Sequence, residues 1–189
     1  MMKTLILDNY DSFTFNLVHY LEQFCDDITV KRNDEISLDE VDAFDAIVLS
    51  PGPGLPKDAG IMPELIKRYS ATKKILGVCL GQQAIGEAFG AKLKNLNQVH
   101  HGVAIPVNTS EPVDKLFDGL PDRFETGRYH SWVIDKDTIP LELVVAATDD
   151  EGEVMAIRHK EFDVCGVQFH PESLLTPDGL KVIENWVHS

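Results

Sequence analysis

The 189-residue chain is predicted to fold as a single α/β domain over residues 1–189, with a mixed, largely parallel central sheet flanked by helices and widened by an antiparallel extension. Two observations predict it. Continuous apolar runs, Thr4 to Leu7, Ile28 to Val30, Ala46 to Leu49 and Ile75 to Cys79, alternate with segments of helical periodicity, as strands buried on both faces between helices do. From about Gly102 the runs Val103 to Val107, Leu143 to Ala147, Val154 to Ile157 and Val164 to Phe169 follow one another mainly across turns, the pattern of antiparallel neighbours.

The helices have their own signals. Phe13, Leu17, Tyr20, Leu21 and Phe24 recur at three- and four-residue spacing behind Asp11 or Ser12, either of which is a suitable cap. A second helix is expected from Cys79 to about Phe89, with Gly90 ending it. Near the C-terminus, Leu180, Ile183 and Val187 with Trp186 mark another helix after Pro177-Asp178-Gly179.

Charge and cysteine usage narrow the function. With 17 Lys+Arg against 31 Asp+Glu the net charge is −14, which argues against nucleic acid or an anionic membrane as a partner. Three cysteines, Cys25, Cys79 and Cys165, form neither an even disulfide set nor a metal-ligand spacing, so a reducing cytoplasmic setting is expected. The N-terminal apolar run is too short for a signal peptide, and no stretch approaches the length of a membrane span.

Chemistry concentrates at two places. Cys79 lies in Gly77-Val78-Cys79-Leu80-Gly81-Gln82-Gln83, between an apolar strand and a helical pattern, where a tight turn would lift a nucleophile at a helix N-terminus and favour its thiolate. The glycines at 77 and 81 are expected to allow the sharp turn. Downstream, Gln168-Phe169-His170-Pro171-Glu172 supplies an imidazole and a carboxylate; in an extended chain those two side chains share a face, so Glu172 would orient His170. Alone, a cysteine after a buried strand is ordinarily a small core residue and a histidine before proline a turn residue. The glycines around one and the carboxylate near the other point instead to a Cys79-His170-Glu172 triad.

The run Ser50-Pro51-Gly52-Pro53-Gly54 reads by itself as an ordinary turn. In a doubly wound sheet, however, it shares the carboxyl edge with the Cys79 elbow. Pro51 and Pro53 lack N–H groups, so Gly52 and Gly54 are the amides available in this run to an oxyanion, with Leu80 as a second donor beside the nucleophile. Gln83, one helical turn beyond Cys79, offers an amide on the same face. His100, His101 and His130 lack an acidic or cysteine partner at ligand spacing, so no metal is expected.

Taken in order, these motifs resemble the class I glutamine amidotransferases over the whole chain, and within them the chorismate-linked branch: Asp8-Asn9-Tyr10-Asp11-Ser12-Phe13, Ser50 to Gly54, Gly77 to Gln83, His101-Gly102, Arg128-Tyr129-His130-Ser131 and Gln168 to Ser173. The resemblance implies a flavodoxin-like fold in which Cys79 attacks the side-chain amide of L-glutamine, His170 shuttles the proton and water releases glutamate. It further implies that Gln83 and the backbones of Gly52, Leu80, Ser131 and Trp132 hold the substrate. Gln82, Trp132 and Val103 stand where many relatives carry histidine, leucine and lysine.

The same resemblance implies no cofactor in this chain, with magnesium expected on the partner, a chorismate-binding synthase component I that receives the ammonia. Anthranilate is the expected product, with 4-amino-4-deoxychorismate, or one chain serving both, as the alternative. The Asp8–Phe13 and Gly52–Lys57 loops are expected near that interface. Two readings from other classes are a flavodoxin-like cysteine hydrolase or peptidase independent of Gln83, and a catalytically silent interaction subunit.

Overall fold

The computed structural model describes residues 1–189. Strands β1 (Lys3–Asp8), β2 (Asp27–Arg32), β3 (Ala46–Leu49) and β4 (Lys74–Val78) alternate with α1 (Thr14–Leu21) and α2 (Met62–Tyr69), and α3 (Leu80–Ala88) follows β4. Next come β5 (Leu93–Asn95), β6 (Val103–Thr109), β7 (Arg123–Arg128), β8 (Trp132–Ile134), β9 (Leu143–Thr148), β10 (Val154–His159), β11 (Val164–Val167) and α4 (Gly179–His188).

Nine strands form one sheet in the order β2-β1-β3-β4-β11-β10-β9-β6-β7, and β5 and β8 form a small separate ribbon. Alternation along the buried strands divides the core into two layers. Ile6, Val48, Leu76, Cys165 and Val167 meet Leu17 and Leu21 of α1 and Val182, Ile183 and Trp186 of α4 on one face. Leu5, Leu7, Ile47, Leu49, Ile75 and Val164 meet Met62, Leu65 and Ile66 of α2 and Ala84 and Ile85 of α3 on the other. Central strands covered on both sides must be apolar at successive positions.

Several sequence expectations need correction. The run Val164 to Phe169 belongs only on one side to the antiparallel extension: β11, which ends at Val167, pairs antiparallel with β10 but parallel with β4, so it joins the two halves of the sheet. Its all-apolar character marks a strand buried between layers, and β11 reaches that place because the chain returns to the middle of the sheet. Helix α1 is shorter than expected and has no side-chain cap; Asp11 instead accepts from the amide of Phe13, the residue at the cap position itself. Helix α2 and strands β5, β7 and β8 carry no expectation at all.

The parallel strands present their carboxyl ends at one edge, and that edge gathers the loops after β1, β3, β4 and β11. Asn9 ties the first two together: its amide donates to Ser50 Oγ and its Nδ2 to the Ser50 carbonyl, both at 2.8 Å. The Cys79 amide donates to the Val167 carbonyl at 2.8 Å, joining the third to the fourth.

Candidate active site

Cys79 sits between β4 and α3 with φ 53° and ψ −102°, an unusual conformation for a residue with a Cβ. The flanking glycines do not take up this turn. They permit close packing instead: a Cβ on Gly77 would meet the Gly81 carbonyl carbon at 2.5 Å, and one on Gly81 would meet the Leu49 carbonyl oxygen at 2.5 Å. The elbow therefore holds Cys79 itself in the strained conformation at the first turn of a helix, where backbone N–H groups favour a thiolate.

His170 and Glu172 come together through a turn rather than an extended segment. His170 makes a single bridge to Gly127, and the chain then turns so that the Ser173 amide reaches the His170 carbonyl at 3.2 Å. Thr176 Oγ1 donates to the same carbonyl at 2.7 Å and accepts from the Gly127 amide at 2.8 Å, clamping the turn. Glu172 Oε1 lies 2.6 Å from His170 Nδ1, and Nε2 is left buried with no hydrogen-bond partner of its own. Phe13 and Tyr129 pack on the ring, with centroids 5.5 and 4.7 Å away.

This enclosure sets the electrostatics. Burial disfavours the imidazolium, but the nearby Cys79 sulfur and the Glu172 carboxylate outweigh it and raise the His170 pKa to about 10. An imidazolium beside Cys79 is the consequence at neutral pH, placed to protonate a leaving group.

A cavity of about 340 Å³ opens beside Cys79, and Gly52, Gly54, Leu80, Gln83, Ser131 and Trp132 all line it with the thiol. Its size suits an amino acid better than a folded peptide loop. The close approach of Gly52 to Leu80 is enforced, because a Cβ on Gly52 would lie 3.1 Å from Leu80 Cδ2 and 2.5 Å from the Asn9 carbonyl oxygen. Gln83 Nε2 donates to the Trp132 carbonyl at 2.9 Å, and the Ser131 carbonyl accepts from the Leu96 amide at 2.7 Å. Gln82 points away and lies buried against Gly166.

A second cavity, about 570 Å³, meets the first at Cys79 and is bordered by Asp11, Phe13, His101, Tyr129 and His170. Burial raises the Asp11 pKa, partly offset by the Phe13 amide and by His170.

Arg128, Asp149 and His130 also support the site. The first and last lie within a sequence motif, whereas Asp149 falls outside every one. Arg128 Nη1 donates to Asp149 at 2.8 Å and its Nε donates to His130 Nε2 at 3.1 Å. Because His130 Nε2 accepts from a guanidinium, Nδ1 carries the proton and donates to the Trp132 carbonyl at 3.1 Å. The wall of the cavity thus hangs on a buried charge pair distant in sequence, and no local pattern could have shown it.

Comparison with known proteins agrees with this geometry. The family model for glutamine amidotransferase class-I matches residues 5–189. Over 185 residues the chain is 45% identical to anthranilate synthase component 2 of Lactococcus lactis, spanning 97% of this chain and 93% of that protein. Over 186 residues it is 42% identical to aminodeoxychorismate synthase component 2 of Escherichia coli K12, spanning 97% of this chain and 98% of that protein. Among solved structures, a protein of Thermoplasma acidophilum assigned to GMP synthase superposes with a TM-score of 0.88 at 26% identity, covering 100% of this chain and 93% of that one.

Proposed function

The chain belongs to the class I glutamine amidotransferase family, and from that membership we propose that it hydrolyses L-glutamine and passes the ammonia to a chorismate-binding synthase component I. The observation that carries the reading is an elbow thiol shared by two adjoining cavities, one of amino-acid size and the other bordered by His170, which Glu172 holds at 2.6 Å.

Each step falls to a named group. The Cys79 thiolate attacks the side-chain carbonyl carbon of glutamine, and the oxyanion is held by the Gly52 and Leu80 amides, with Gly54 in reserve on the same loop. The His170 imidazolium gives its proton to the leaving nitrogen, so ammonia departs and a thioester remains. Water then attacks the thioester as His170 takes its proton, releasing glutamate and restoring the thiolate. Glu172 holds the ring and its charge, while Gln83, Ser131 and Trp132 orient the substrate.

The partner follows from chemistry and likeness together. Ammonia lost to bulk water is protonated and wasted, and the two relatives above carry the name component 2 of a synthase. Tyr10 at the second cavity, Phe15 in the first turn of α1 and Leu174 in the turn after Glu172 are exposed large side chains, suited to docking a partner. Anthranilate is the expected product and 4-amino-4-deoxychorismate the alternative, a choice that belongs to component I.

The test mixes the purified chain with each chorismate-using component I from the same source, glutamine, chorismate and magnesium. Anthranilate with one partner supports the first product, 4-amino-4-deoxychorismate the second, and both together a chain shared by the two synthases. If neither forms although each component I works with free ammonia, the reading fails and a stand-alone hydrolase replaces it.

A further inference from the structure

We propose that Gln168 is the hydrogen-bond donor that holds the Cys79 sulfur as a thiolate, and that its polarity is fixed by a relay running from the Trp132 carbonyl through Gln83. The proposal rests on Cys79 being the nucleophile.

The relay can be read in only one direction. The Trp132 carbonyl oxygen is purely an acceptor, so the Gln83 atom 2.9 Å from it is Nε2. That same nitrogen lies 3.2 Å from the Gln168 side chain, whose facing atom is therefore the oxygen, Oε1. Gln168 Nε2 is then left pointing at Cys79 Sγ, 3.4 Å away. The opposite orientation would set nitrogen against nitrogen at Gln83 and oxygen against sulfur at Cys79.

Position reinforces polarity. Gln168 is fully buried just past the end of β11, and its backbone amide donates to the Met155 carbonyl at 2.8 Å. The side chain therefore has little freedom to turn away, and a donor fixed before reaction costs no reorganisation when charge collects on sulfur. Sulfur carries negative charge as the nucleophile and again as the thioester breaks down, and is neutral in the thioester; an N–H aimed at it favours the two charged states. Because Gln83 lines the substrate cavity, the relay also links pocket occupancy to the thiol.

The test measures alkylation of Cys79 by iodoacetamide against pH, with the modified peptide identified by mass spectrometry. Gln168→Met keeps the volume and removes the donor. His170, Glu172, Asp11, His101, Tyr129 and His130 surround the sulfur and its partners and are unchanged in the variant, so any shift belongs to Gln168. The midpoint should rise by about one to two pH units, with about a tenfold or greater loss of rate below it. Gln168→Glu, which places a carboxylate beside the sulfur, should raise it further.

A merely structural role would lower stability without moving the midpoint. Wild-type protein that is not alkylated at Cys79 near neutral pH would overturn the nucleophile assignment itself. A reactive wild type with an unshifted, folded Gln168→Met variant overturns the Gln168 proposal alone. Should both variants fail to fold, the wild type decides: the Gln168 side-chain NH₂ resonance must titrate with the Cys79 midpoint, and an invariant resonance would refute the relay.

Discussion

Arg128 donates to Asp149 at 2.8 Å with the two side chains only 1% and 5% exposed, at the base of the segment that carries Tyr129, Ser131 and Trp132 into the substrate cavity. Asp149 is satisfied on its other side as well, accepting from the Glu151 and Glu153 amides at 3.0 and 2.9 Å. Removing one member of such a pair leaves the other charged and desolvated, at a cost of roughly 3–5 kcal/mol. Asp149→Ala should therefore lose stability of that order in urea denaturation and raise the KM for glutamine more than it lowers kcat. A variant within about 1 kcal/mol of wild type and with an unchanged KM would show that the pair does not hold the wall.

His130 gives the wall a pH limit. Burial, with the nearby Arg128 charge, lowers its pKa to about 3, whereas an unfolded histidine titrates near 6.5. Between these values the unfolded chain binds a proton that the folded chain refuses, so stability falls as pH drops from about 6.5 toward about 3, by up to ~1.4 kcal/mol per pH unit. His130→Asn keeps a donor for the Trp132 carbonyl and removes the titration. Its stability should be flatter than wild type between about pH 6 and pH 4, measured as the urea midpoint; parallel curves would rule His130 out as the source.

What the sequence disclosed divides by distance along the chain. Cys79 with Gln83, and His170 with Glu172, were legible because each pair is bound by a local turn whose residue types are specific. The loop at Gly52 was legible because a largely parallel sheet brings carboxyl-end loops to one edge. Three things were hidden. The place of β11 depends on a return of the chain to the sheet centre, and an apolar run is identical whether its neighbour is parallel or antiparallel. The polar, charged surface of α2, Glu64, Lys67 and Arg68, leaves only Met62, Leu65, Ile66 and Tyr69 as its core stripe, a short signal behind a proline. The Arg128–Asp149 and Gln83–Gln168 contacts join segments 21 and 85 residues apart, and no spacing rule reaches that far.

Glu172 should govern the alkaline end of the pH range. His170 is buried against Glu172, and its pKa is raised to about 10, so the stability this histidine contributes is fully present below the ordinary value near 6.5 and is lost as pH rises through about 10. Glu172→Gln keeps the shape and removes the negative charge. The imidazolium then loses its proton at lower pH, and glutaminase activity should fall about 10²-fold or more at neutrality with its alkaline limb moved toward neutral pH. An unmoved alkaline limb in the pH profile of kcat would mean that another group sets it.

The nucleophile's own conformation yields a prediction that separates strain from chemistry. At φ 53° and ψ −102° the Cβ of residue 79 is in a region where side chains cost of order 1–3 kcal/mol. Glycine carries no such cost, though it gives back about 0.5–1 kcal/mol through greater freedom in the unfolded chain. Cys79→Ala and Cys79→Gly should both abolish glutaminase activity, since neither has a sulfur. They should differ in stability: Cys79→Gly should melt above Cys79→Ala, because only glycine releases the strain at the elbow. Calorimetry of the two variants decides it. A Cys79→Ala protein as stable as Cys79→Gly would mean that the elbow stores no strain, and one that kept its glutaminase activity would overturn the mechanism outright.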